Sequence, residues 1–68
     1  MITITADPGD PFYEWLDGMS LALGTGKTYK IDREGITYHG CRVICVERST
    51  SGRLIVGLLC RFSAPEVI

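Results

Sequence analysis

With 68 residues, 46% of them hydrophobic, the chain is long enough for one domain, residues 1–68, and too apolar to be disordered. No apolar run approaches the roughly 20 residues that span a bilayer, and the N-terminus lacks the basic region of a signal peptide. The net charge of −1 is compatible with several classes of partner, and we expect a cytoplasmic protein that does not bind membranes.

The N-terminal third predicts a short strand followed by one amphipathic helix. Residues 2–5 alternate apolar and polar side chains, as in a strand. Asp10 followed by Pro11 is typical of a helix N-terminus, and Gly24 of a helix end. We therefore predict a helix over about residues 10–23, and we expect its apolar stripe to face the core: Phe12, Trp15, Leu16, Met19, Ala22 and Leu23.

The segment GTGKT, residues 24–28, is similar to part of a phosphate-binding loop. That loop requires a glycine five positions before Gly26, where this chain has Leu21. The loop also connects a strand to a helix, whereas here a predicted helix precedes the segment and a predicted strand follows it. We therefore do not interpret GTGKT as a nucleotide site.

After the helix the hydrophobic pattern changes to a period of two, which predicts three antiparallel strands in a meander. We expect strands over residues 27–31, 36–47 and 53–62, joined by a type I turn at DREG and a loop at STSG. Gly40 is a candidate bend or bulge, and the tail SAPEVI is expected to fray. The prediction is a two-layer α+β domain with one N-terminal strand, whose place in the sheet is open.

If the STSG loop has an even number of residues, the side chains of the last two strands can be assigned to the two faces of their hairpin. One face, expected to receive the helix, is almost entirely apolar: Cys41, Val43, Cys45, Val56, Leu58, Cys60 and Phe62. The opposite face would hold an aliphatic centre, formed by Ile44, Val46, Ile55 and Leu59. Around this centre lie Arg42, Arg48, Arg53 and Arg61, with Tyr38 and Lys30 added unless Gly40 forms a bulge.

This second face is the candidate binding surface, because one helix cannot cover both sides of a sheet. Interfaces combine a desolvated apolar core with arginines and aromatics, and the predicted partner-binding residues are Tyr38, Arg42, Ile44, Val46, Arg53, Ile55, Leu59 and Arg61. The alternative is an ordinary sheet face, since β-branched residues suit the pleat and another segment could lie across it.

Charge is segregated along the chain, which is a clue about partners. Residues 1–24 carry four acidic and no basic side chains, whereas residues 25–68 carry seven basic and four acidic ones. The acidic helix side, with Glu14 and Asp17 beside Tyr13, is a secondary candidate patch.

Cysteine and histidine side chains are the candidate metal ligands or nucleophiles. Three cysteines are an odd number and lie in strand-like stretches, so we expect reduced, buried thiols; Cys41 and Cys60, opposite one another, could form a disulfide under oxidising conditions. His39 with these cysteines has no C-x2-C spacing, and a small two-layer domain offers little room for a catalytic cleft. We therefore expect no enzyme, metal site or cofactor.

Two functions from different classes are compatible with these features. The first is a small protein-binding module, an inhibitor or adaptor that acts by surface occlusion, with a homodimer as one form. In size and plain composition it is similar to phage-encoded inhibitors of host machinery, including anti-CRISPR proteins. The alternative is a nucleic-acid-binding sheet that uses its arginines for phosphates and Tyr38 for stacking.

Overall fold

The computed structural model describes residues 1–65 and confirms the small α+β fold. The order of one strand, one helix and then antiparallel strands is the predicted one. Within the described range the elements are β1 (Ile2–Ala6), α1 (Tyr13–Ser20), β2 (Thr28–Arg33), β3 (Ile36–Arg48), β4 (Leu54–Leu59) and β5 (Phe62–Pro65).

The strands form one antiparallel sheet in the order β1-β4-β3-β2, curled into a half-barrel. β3 has 13 residues and is long enough for β5 and β4 to pair with it one after the other along the same side. The predicted last strand is thus divided at Cys60 and Arg61 into two strands. β1 pairs with β4 and lies at one edge of the sheet, which settles its position.

The predicted register between the last two strands is confirmed over the first half of β3, from Ile36 opposite Pro65 to Val43 opposite Leu58. It then shifts by one residue, so that Cys45 lies opposite Gly57. Ile44 is the extra residue of a β-bulge, and the prediction of an even-length loop was wrong. A one-residue shift exchanges the two faces of a strand.

The predicted bulge at Gly40 is present in the pairing of β3 with β2. Tyr29 pairs with Cys41 and Ile31 with Tyr38, so β3 has one more residue than β2 between these pairs. Gly40 has a φ of 62°, in the left-handed region that glycine adopts without a steric penalty. The bulge turns Tyr38 toward the core.

The helix is shorter than the predicted 10–23 and begins differently. α1 spans Tyr13–Ser20, and the chain continues in turns as far as Thr25. Asp10 does not cap the helix, because its Oδ2 accepts a hydrogen bond of 2.7 Å from the Asp7 N–H instead. Within the described residues no helix is long and apolar enough to cross a membrane.

The helix is also rotated relative to the predicted stripe. Leu16 and Met19 are buried, as predicted, but Trp15 is 52% exposed, and Phe12 and Leu23 are exposed too. Tyr13, predicted to be exposed, is half-buried. The side of the helix that carries Tyr13 is held against the sheet because Arg48 of β3 donates a hydrogen bond of 3.2 Å to the Tyr13 hydroxyl.

The core lies between the helix and the concave side of the half-barrel. Its buried apolar residues come from every element except β5: Ala6, Leu16, Met19, Ala22, Ile31, Cys41, Val43, Leu54, Val56 and Leu58. Cys41 and Cys60 are joined by a disulfide, and Cys45 is free and exposed. The expectation of three reduced, buried thiols is therefore corrected. The Cα atoms of Cys41 and Cys60 lie 3.9 Å apart, between the stretches of β3 that pair with β5 and with β4.

The turn between β2 and β3 differs from the predicted type I turn. Arg33 pairs with Ile36, which leaves a loop of only Glu34 and Gly35. Their φ angles are 53° and 76°, and two positive φ values are typical of a type I′ turn. This turn matches the right-handed twist of the flanking strands.

The predicted fraying of the tail is wrong for its first residues. Ser63, Ala64 and Pro65 belong to β5 and pair with β3, where Pro65 at the end of the ladder opposes Ile36. A proline is tolerated there because β5 pairs with β3 alone among the described strands, and an edge strand does not need every N–H group for pairing. Residues 66–68 lie outside the described range.

Candidate protein-binding face

The convex side of the sheet is turned away from the helix and carries a row of exposed side chains. Thr28, Arg42 and Leu59 lie directly opposite one another on β2, β3 and β4. All three are exposed, and Leu59 keeps 46% of its surface accessible. We call the surface formed by Thr28, Arg42, Ile44, Cys45, Leu59 and Arg61 the outer face.

A groove of about 400 Å³ runs along this row. Arg42, Leu59 and Arg61, three of the predicted partner-binding residues, line it together with Gly26, Thr28, Gly40 and Cys60. The Arg61 N–H donates a hydrogen bond of 2.9 Å to the His39 carbonyl, which fixes the backbone beside the groove. The groove thus brings together three of the residues predicted for the binding surface, with two glycines that the sequence analysis did not assign to it.

Ile44 extends the outer face along β3. It is 38% exposed, as predicted, because it follows the alternation of exposed Arg42 and buried Val43. The bulge exposes Cys45, whose sulfur lies close to Gly57: a Cβ at Gly57 would collide with the Cys45 Sγ. Glycine at this position lets the bulged segment of β3 approach β4 closely.

Two predicted binding residues belong to the core side instead. Val46 follows the bulge and Tyr38 precedes the bulge at Gly40, and both are half-buried against the core. The prediction that they form part of the outer face is wrong, because each bulge reverses the side-chain alternation. Ile55 is also half-buried, so the exposed apolar centre of the outer face consists of Ile44 and Leu59.

Two arginines of the predicted rim are paired within the chain. Arg48 forms a salt bridge of 2.6 Å with Asp17, and Arg53 forms one of 2.9 Å with Asp7. The hydrogen bond to Asp17 raises the pKa of Arg48, and the hydrogen bond to Asp7 raises the pKa of Arg53. The acidic N-terminal third thus neutralises part of the basic remainder.

These pairs also change the interpretation of the secondary patch. Asp17 and Tyr13 both contact Arg48, so these two side chains are engaged within the chain, while Glu14 is exposed. The patch is therefore the place where the helix is held to β3. As a surface for a partner it retains only the exposed carboxylate of Glu14.

A second groove, of about 260 Å³, was not predicted from the sequence. It lies between the two sheet edges and is lined by Ile4, Thr5, Phe12, Trp15, Ile31, Asp32 and Arg33. Arg33 of β2 crosses between the edges and donates a hydrogen bond of 2.8 Å to the Thr3 carbonyl on β1. A Trp that lies within an apolar stripe gives no sequence signal that it will remain half-exposed.

The histidine and cysteine side chains do not form a cluster of ligands in the described part of the chain. His39 stacks on Phe62 at 4.6 Å between ring centroids. Among residues 1–65 no three His, Cys, Asp or Glu side chains are close enough to hold a metal ion.

Comparison of the chain with known protein families, with curated proteins and with solved structures finds no match.

Proposed function

We propose that this chain is a small protein-binding module, an inhibitor or adaptor that acts by covering part of a partner's surface with its outer face. One observation carries the proposal: Ile44 and Leu59 are exposed beside Arg42 on the side of the sheet that the helix does not cover. Full burial of such an aliphatic side chain is worth about 1.5–3 kcal/mol. Exposed apolar side chains next to arginines are typical of the centre and rim of interfaces.

The partner is another protein, and a homodimer with a second copy of this chain is one form of the proposal. No cofactor, metal or catalysis is part of the proposal, and a cytoplasmic location and a phage origin remain predictions from the sequence. Occlusion requires only a stable surface, and the salt bridges of Arg48 and Arg53 support the scaffold behind it.

The experiment compares two substitutions that add the same charge on different sides of the molecule. Leu59→Asp places a carboxylate in the outer face, while Leu21→Asp places one beyond the end of α1, where Leu21 is 79% exposed. Affinity capture from the native cell, or from its phage-infected host, is expected to recover a partner with the wild type and Leu21→Asp but not with Leu59→Asp. Recovery with all three proteins would contradict the proposal.

The homodimer is tested separately by light scattering coupled to size exclusion. A dimer that Leu59→Asp or Ile44→Asp converts to a monomer would place the contact on the outer face. A dimer that persists in both variants would place it elsewhere.

Nucleic-acid binding by the sheet is the alternative, and the geometry supports it less. Tyr38, its proposed stacking residue, is turned toward the core, and Arg48 and Arg53 are paired with carboxylates. Affinity for nucleic acid depends on cations that are free to neutralise phosphates. An electrophoretic titration with single-stranded DNA at two salt concentrations tests it, and a shift at low salt that Arg42→Gln removes would favour this alternative.

A further inference from the structure

The groove at Gly40 has the dimensions and the chemistry of a subsite within the outer face. It measures about 400 Å³, and its wall combines the Leu59 side chain with the two arginines Arg42 and Arg61. Both arginines are exposed. A group that enters this groove therefore meets apolar surface and positive charge together.

Gly40 determines where the Arg61 side chain lies. A Cβ at Gly40 would stand 2.8 Å from the Cγ and Cδ atoms of Arg61, closer than non-bonded carbons approach. Because glycine has no Cβ, the aliphatic part of Arg61 packs directly against the β3 backbone. Contact with a bulged backbone limits the rotamers of a long side chain, which lowers the entropy that is lost when its guanidinium binds an anion.

The charges in the groove have no partner within the described residues. Arg48 and Arg53 form salt bridges, whereas neither Arg42 nor Arg61 lies within 4.0 Å of a carboxylate in residues 1–65. Two arginines beside one groove are complementary to an anion, and a guanidinium can bind both oxygens of a carboxylate.

The rest of the surface distinguishes a carboxylate from a nucleic-acid phosphate. A nucleic acid needs a track of cations along its backbone, but Arg48 and Arg53 are neutralised by Asp17 and Asp7. Only two arginines line the groove, and Leu59 stands beside them. This arrangement suits a single acidic side chain next to an apolar one.

We infer that the Gly40 groove receives an Asp or Glu carboxylate from an acidic segment of the partner protein, with a neighbouring apolar side chain on Leu59. This inference rests on the proposed function and specifies the chemistry of the surface that the outer face recognises. The carboxylate binds between Arg42 and Arg61.

The test is a titration of ¹⁵N-labelled protein, followed by NMR, with an acetylated peptide amide of sequence Asp-Leu-Glu-Leu-Asp and with its Asn-Leu-Gln-Leu-Asn counterpart. The acidic peptide is expected to shift the amide signals of Thr28, Gly40 and Arg61, and raising the salt from about 50 mM to about 300 mM is expected to weaken the effect. Arg42→Gln and Arg61→Gln should each weaken binding by about tenfold. Lys30→Gln, which removes an exposed positive charge that does not line the groove, is the matched control.

Three results would overturn the inference: no shift with the acidic peptide at about 5 mM, equal shifts with the neutral peptide, or unchanged binding in the two groove variants. Tighter binding of a single-stranded oligonucleotide at the same residues would also overturn it. Partner capture separates this inference from the proposed function. If Leu59→Asp abolishes capture while the Arg42→Gln/Arg61→Gln double variant retains it, the proposed binding module is supported and the carboxylate subsite is ruled out. If both variants retain capture, the binding module and the subsite are both ruled out.

Discussion

The Cys45 sulfur fills the space that a side chain on Gly57 would need. Gly57 lies opposite Cys45 in the ladder and directly after the register shift at Ile44, so the bulge and the glycine depend on one another. We predict that Gly57→Ala lowers the free energy of unfolding by about 1–3 kcal/mol, as overpacking does. In a Cys45→Ala background the same substitution is expected to cost much less. Urea unfolding of the four proteins measures both effects, and equal costs in the two backgrounds would contradict the contact.

Gly40 and Gly35 allow a matched comparison, because both have positive φ values, 62° and 76°, but different surroundings. Alanine at either position meets left-handed strain of about 1–2 kcal/mol. Only at Gly40 does the new Cβ also collide with Arg61, since nothing lies within 4 Å at Gly35.

We therefore predict that Gly40→Ala destabilises the protein by about 1 kcal/mol more than Gly35→Ala does. Thermal unfolding followed by circular dichroism provides the measurement. In an Arg61→Ala background most of the difference should disappear, and its persistence would show that another contact is responsible.

The disulfide between Cys41 and Cys60 closes a loop with a sequence separation of 19. A loop of this length restricts the unfolded chain by about 3 kcal/mol, so reduction is expected to lower the free energy of unfolding by about that amount. Urea unfolding with and without a reductant measures the difference. Thiol titration of the unreduced, denatured protein should find one free thiol, from Cys45; a count of three would show that the bond is absent.

Arg48 connects β3 to the helix through Asp17 and Tyr13. We predict that Arg48→Met and Asp17→Asn are coupled in a double-mutant cycle and that added salt reduces the coupling, because the pair is exposed. Pairing raises the pKa of Arg48. Its stabilising effect is therefore complete below the ordinary arginine pKa and is lost only as the pH rises through the raised one, in the strongly alkaline range. Additive single effects would mean that the salt bridge does not hold the helix.

The order of elements could be predicted because it depends on local signals: the change from helical to alternating spacing places the helix before the strands. Half of the register also matches the prediction, but only because two errors cancel. The loop between β3 and β4 has five residues, 49–53, and the extra residue of the bulge at Ile44 restores the predicted pairing beyond it, with Cys41 opposite Cys60. The bulge at Ile44 could not be predicted, because it depends on the close approach of Cys45 to Gly57 across two strands. That one extra residue turns Val46 from the predicted surface toward the core, where it is half-buried.

The orientation of the helix could not be predicted from the sequence, for a related reason. An apolar stripe gives the side that can be buried, but Trp15 and Tyr13 both lie near its margins. In the structure Tyr13 turns inward, and its hydroxyl accepts a hydrogen bond from Arg48, far away in the sequence. Contacts between residues far apart in sequence also decided the candidate site. Arg53 is not available in the candidate site because its guanidinium donates a hydrogen bond to Asp7. Gly40 belongs to the site because the Arg61 side chain packs against its backbone.

The hydrogen bond from Arg33 to the Thr3 carbonyl has a consequence for solubility. β1 is an edge strand, and such strands can template fibrils by adding further chains to their unpaired amide groups. The Arg33 guanidinium already binds one backbone carbonyl of β1 and places a positive charge along this edge. A second molecule that approaches with its own Arg33 therefore meets an occupied carbonyl and a charge of the same sign. We therefore expect this arginine to oppose edge-to-edge association of the half-open sheet.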